Sequence, residues 1–139
     1  MASGNESIEP VELINRARTL RPVLRKRQET TERNRRISDE TITDIRDAGL
    51  FRALQPTRHG GLEVALDDAM RIIMEIAAGC GSTGWVYAVM AMHQWQIGMF
   101  PPECQDDVWT DHGQALTASS FPPPPASVES RLAVADLSN

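Results

Sequence analysis

The stretch from Trp85 to Phe100 is apolar on nearly every side of a helix, and it narrows what this chain can become. It carries His93, Gln94 and Gln96, and it falls short of the roughly 20 apolar residues that a bilayer span requires. It therefore predicts a helix buried inside protein, central to a helical bundle, with Ser82 or Thr83 as its cap and an end near Met99. Pro101 and Pro102 stop it and start a short helix that reaches Trp109.

The segments before it also read as helices. Pro10 suits a first turn, and Val11, Ile14, Ala17 and Leu20 follow at helical spacing. Pro22 should bend or divide this helix, which runs on weakly toward Asn34. Ser38 then predicts an N-cap, with Asp39 and Glu40 in the first turn and Gly49 as the left-handed stop, giving a helix over 39–48. Gln55 to Gly61 is a loop by composition. A third helix is expected over 65–78, with Met70, Ile73, Met74 and Ala77 as its apolar face. After Gly113 the pattern changes. Gln114 to Phe121 predicts a strand, and Pro122 to Pro125 then forbid both helix and ladder.

Composition adds exclusions. The 139 residues are 41% hydrophobic and 24% charged, which is ordinary for a globular domain that needs no disulfide. Cys80 and Cys104 form no CxxC and have no histidine at zinc spacing, so no metal site is expected and a reduced, cytoplasmic setting is the simplest reading. Residues 1–36 hold nine of the 14 basic side chains against five acidic ones. Glu12, Glu29 and Glu32 interrupt that block and no aromatic is interleaved, so it reads as a solvated helix face and not as a nucleic-acid arm. Neither a nucleic-acid nor a membrane partner is expected.

Two groups of residues carry a family resemblance. Asp47-Ala48-Gly49-Leu50-Phe51-Arg52, followed by Pro56 and Gly60-Gly61-Leu62-Glu63, resembles the acyl-CoA dehydrogenase superfamily. Ala78-Gly79-Cys80-Gly81-Ser82-Thr83-Gly84-Trp85-Val86, His93-Gln94-Trp95, Phe100-Pro101 and Val108-Trp109 are similar to the oxygenase components of two-component flavin monooxygenases. The resemblance covers residues 11 to 121. It implies a mainly α fold: an N-terminal helical domain over 1–112, then the start of a middle β-barrel domain over 113–139. It also implies reduced FMN or FAD delivered by a flavin reductase, hydroxylation of an aromatic or related small molecule, and a homo-oligomer. In the family the strand around Ser119 leads through a Pro-x-Gly turn into the barrel. Here four prolines stand at that point, so most of the barrel and a C-terminal helical bundle are expected to be missing, and the chain is expected to be inactive alone.

The resemblance also assigns residues. His93 would sit at the substrate, stabilising a phenolate or relaying a proton, in a row with Trp85, Val89 and Ile97 at i+4 spacing. From the residues alone, a buried histidine tied to a backbone carbonyl is the favoured reading, and the resemblance turns the balance toward the substrate role. Trp85 would wall the pocket or simply fill the core. Ser119 and Ser120 lie in the expected strand, where a hydroxyl can bond flavin or substrate; alternation lets only one face inward, and the family pattern favours Ser119. Arg58 and His59 can meet a phosphate, though solvation suits that loop better. Gly79-Cys80-Gly81-Ser82 lacks the Gly fingerprint of a dinucleotide loop. Two further readings stay open: an acyl-CoA dehydrogenase-type fragment, and a non-catalytic helical module that binds a partner through an uncovered apolar face.

Overall fold

Helix α1 (Pro10–Asn34) begins on the proline that suits a first turn. The computed structural model describes residues 8–110 and 113–117, and in it α1 runs unbroken through Pro22. No second helix starts there. Pro22 and Arg18 are both exposed, so the carbonyl that loses its intrahelical partner can bond water instead.

Helix α2 (Asp39–Asp47) follows its local signals closely. The Ser38 hydroxyl accepts the Thr41 amide at 3.2 Å, and Gly49 takes a φ of 76°, where a side chain would be strained. A 3-10 turn at Leu50–Arg52 carries the chain into the loop. There the Leu62, Glu63 and Val64 amides bond back to the carbonyls of Arg52, Gln55 and Ala53, closing a hairpin-like fold with a second 3-10 turn, Thr57–His59, at its tip.

Helices α3 (Leu66–Gly79) and α4 (Gly81–Gly98) are separated by one residue, Cys80, in extended conformation. Cys80 stands at the N-cap of α4, so the start expected at Ser82 or Thr83 moves earlier. Thr83 is instead buried within the first turn. A junction this short folds α4 straight back on α3, and the two meet where Gly84 faces Ala77. A Cβ on Gly84 would fall 2.5 Å from the Ala77 Cα, which explains the missing side chain. Helix α5 (Pro102–Val108) then leads to buried Trp109.

One core unites these pieces. Leu13, Ala17 and Leu24 of α1 meet Ile72 and Ile76 of α3, Tyr87 and Ala91 of α4, and Ile45, Leu50 and Phe51. Each leucine, isoleucine and phenylalanine among them contributes about 1.5–3 kcal/mol by leaving water, the alanines less.

Two expectations are corrected. The inward face of α3 is Ala69, Ile72, Glu75, Ile76 and Gly79, while Met70 and Met74 face out and Ala77, though exposed, lies against Gly84 of α4. Glu75 hides the true stripe from a hydrophobicity reading. Its carboxylate is only 12% exposed and is held by Arg18 at 3.1 Å and by Arg21, both from α1. Second, α4 is not enclosed. Trp85 is 71% exposed, so it fills no core here, and Trp95 and Met99 are exposed as well. Gln114–Thr117 pair with no strand among the described residues, and Ser119, Ser120 and Phe121 lie outside them. No helix among the described residues is long and apolar enough to cross a membrane.

Candidate functional site

Helix α4 positions the histidine that the sequence singles out. Its i+4 row sets Trp85, Val89, His93 and Ile97 along one flank, with Trp85 open to solvent and the other three half-buried. Trp85 and His93 are two turns apart, a rise of about 12 Å. The His93 Nδ1 lies 2.6 Å from the Val89 carbonyl oxygen. A carbonyl only accepts, so Nδ1 carries a proton, and in the neutral form of the ring Nε2 is the acceptor, turned away from that carbonyl. The carbonyl tie and the outward acceptor are thus two ends of one ring. A bond that merely anchors the imidazole also fixes its tautomer.

The neighbouring residue does different work. Gln94, 1% exposed, takes the Trp109 indole N–H on its oxygen at 3.2 Å and donates its amide to the Ala115 carbonyl at 3.0 Å. Gln55, also buried, donates to the His59 carbonyl at 2.9 Å and to the Gly113 carbonyl at 3.0 Å. Gln105 bonds the Gly98 and Phe100 carbonyls at the end of α4. Three buried amides therefore satisfy loop carbonyls that would otherwise be stranded. Gln94 fastens Ala115 to the helix that bears His93, and Gln55 fastens Gly113 to the loop that follows the first 3-10 turn. Sequence reasoning missed this role. The available signal was a glutamine within an almost wholly apolar helix, since a buried amide demands partners.

The Arg58-His59 loop is no phosphate cradle. Arg58 pairs with Asp106 at 2.5 Å, and the His59 ring rests 4.9 Å from Trp109. Among the described residues no three His, Cys, Asp or Glu side chains gather as a metal site would need; Cys80 is buried and Cys104 exposed. Ser119 and Ser120 fall outside the described residues.

Comparison with known proteins places this arrangement. Residues 15–111 match the acyl-CoA dehydrogenase N-terminal domain. The chain is 40% identical over 116 residues to a pigment production hydroxylase of a Rhodococcus species, covering 84% of this chain and 30% of that protein. It is 34% identical over 116 residues to the p-hydroxyphenylacetate 3-hydroxylase oxygenase component of Acinetobacter baumannii, covering 84% of this chain and 28% of that one. Among solved structures, the HsaA monooxygenase from M. tuberculosis superposes with a TM-score of 0.79 at 32% identity, over 84% of this chain and 32% of that chain. The 3-HSA hydroxylase from Rhodococcus sp. RHA1 gives a TM-score of 0.77 at 36% identity, over 81% and 29%. The chain thus spans less than a third of the length of these relatives. With the family match spanning residues 15–111, the chain belongs to the acyl-CoA dehydrogenase N-terminal domain family, beside the oxygenase components of flavin-dependent monooxygenases.

Proposed function

We propose that this chain supplies the helical portion of a reduced-flavin-dependent monooxygenase oxygenase component acting on an aromatic small molecule, and that it performs no hydroxylation alone. The observation that carries the reading is His93, tied at Nδ1 to the Val89 carbonyl with Nε2 left as an acceptor on the open flank of α4. An imidazole so held can take the proton of a phenolic hydroxyl, and the resulting phenolate is richer in electrons at its ring carbons.

The residues present fit one wall of a flavin and substrate site. Exposed Trp85 offers an aromatic face, His93 an acceptor, and half-buried Val89 an apolar floor between them. Reduced FMN or FAD, when bound, supplies the oxygen activation. Trp85 packs against the aromatic system and excludes water, and His93 holds or moves the hydroxyl proton at Nε2. Ser119 or Ser120 adds a hydroxyl donor from a β domain that starts near residue 113. A flavin reductase is the partner that delivers the cofactor, the assembly is a homo-oligomer, and its setting is the cytoplasm.

A second reading has its own observation. Met74, Trp85, Trp95, Met99 and Phe100 are each exposed, on α3, α4 and the turn beyond, which also suits a helical module that binds a partner.

The test is hydroxylation of a phenol with chemically reduced flavin, by this chain and by a chimera. In the chimera, residues 10–117 replace the matching segment of the Acinetobacter baumannii oxygenase component. The expected result is no product from the chain and product from the chimera. A folded, flavin-binding chimera without product would refute the reading, as would turnover by the chain alone.

A further inference from the structure

A concave site lies round the bundle from the His93 flank, on the Gln94 side of α4, about 100° away for adjacent helical residues. It is a cleft of about 320 Å³ between α1, the end of α2 and the segment after Gly113. That volume is within the range that small ligands occupy. None of Trp85, Val89 and His93 lines it.

Three arginines line this cleft: Arg16, Arg46 and Arg52, with Asp47 the one acid among the lining residues. The partners of these arginines are unusual. Arg52 gives its Nε–H and one terminal N–H to the Gly60 carbonyl, a neutral acceptor that orients the guanidinium and leaves its charge uncompensated. Arg16 is held by the Ala48 carbonyl at 3.4 Å and by Glu12 at 2.9 Å, the latter on the exposed surface. Arg46 forms no ion pair among the described residues. In a chain of net charge −5, a hollow with this excess of guanidinium groups runs against the overall field.

Arg16 and Arg52 are pre-oriented by these bonds and keep further N–H donors for an oxyanion, so they have little rotamer freedom left to lose on binding. The rest of the lining is of another kind. Ile8, Phe51 and Leu116 give the cleft an apolar side. The geometry points to a binding site for a small organic oxyanion, a carboxylate or phosphate carried on an apolar body, seated with its charge on Arg16, Arg46 and Arg52. The apolar side is what separates such a ligand from a bare inorganic ion.

The test uses the full chain and three probes, benzoate, acetate and inorganic phosphate, titrated by calorimetry at low ionic strength. Benzoate is expected to bind saturably, with acetate and phosphate at least tenfold weaker. Arg46→Gln removes a side chain with no ion pair to break, so folding is spared, and it should weaken benzoate roughly tenfold. Arg71→Gln, on the outer face of α3 and paired with Asp68, should leave benzoate binding as it was. Three results would overturn the proposal: no saturable benzoate binding, equal loss in the Arg46 and Arg71 variants, or phosphate binding as tightly as benzoate.

Discussion

Tyr87 gives the sharpest quantitative test of the core. Its hydroxyl donates to the Leu50 carbonyl at 2.9 Å and its ring lies 5.8 Å from that of Phe51, with only 2% of the residue exposed. Tyr87→Phe removes the hydroxyl and keeps the ring. The Leu50 carbonyl retains one partner, the Ala53 amide at 3.2 Å, so the acceptor is not fully stranded. The cost should therefore sit at the low end for a buried group, about 1 kcal/mol near neutral pH. Burial also pushes the Tyr87 pKa up, because the phenolate would have to form without water. The unfolded chain ionises near pH 10, below the folded value, so the hydroxyl's contribution is whole below about pH 10 and is lost as the pH climbs toward the folded pKa. The loss is about 1.4 kcal/mol per pH unit in that window. The phenylalanine variant has no such proton to lose. Urea unfolding at about pH 8 and about pH 11 should show the gap between the two proteins closing and slightly reversing. Because the chain has a single tyrosine, its ultraviolet absorbance reports ionisation directly. A Tyr87 that ionises near pH 10 in the folded chain, or a gap unchanged with pH, would refute the reasoning.

Other outcomes follow from particular contacts. Gly84→Ala should cost about 2–3 kcal/mol in thermal or urea unfolding, since its Cβ would fall 2.5 Å from the Ala77 backbone; Gly81→Ala, with nothing within 4 Å, should be neutral or slightly stabilising. Glu75→Gln should cost about 1–2 kcal/mol, discounted because the Arg18 and Arg21 side chains are 56% and 41% exposed, and the cost should shrink in high salt. The isolated chain should self-associate in sedimentation at micromolar concentration, driven by Trp85, Trp95, Met74 and Met99. A monodisperse monomer with a sharp melt would contradict that.

Most of the helical order was legible because its signals are local. Ser38 caps α2 through an amide three residues away, and Gly49 stops it with its own φ, so neither needs the rest of the fold. The tie of His93 to Val89, one turn back on the same helix, is equally local. What was not legible depends on distant partners. The inward face of α3 was misread because Glu75 belongs to it, and a carboxylate is tolerated there only by arginines more than fifty residues earlier. The exposure of Trp85 could not be read from an apolar helix, because the pattern says what a side chain prefers and not what covers it. Gln55 and Gln94 looked like ordinary polar residues until the 113–115 segment returned to meet them. The arginine cleft likewise draws on Arg16, Arg46 and Arg52, which share no spacing.

We propose that His93 handles the proton in a flavin-dependent hydroxylation. The direct measurement is the turnover of the oxygenase chimera with reduced flavin and a phenol, as built and with His93→Ala, alongside its flavin affinity. The claim predicts a fall in kcat of about a hundredfold or more, the usual contribution of a positioned acid or base, with flavin bound as tightly as before. A chimera that folds, binds flavin and hydroxylates the phenol at an unchanged rate without the imidazole would contradict it.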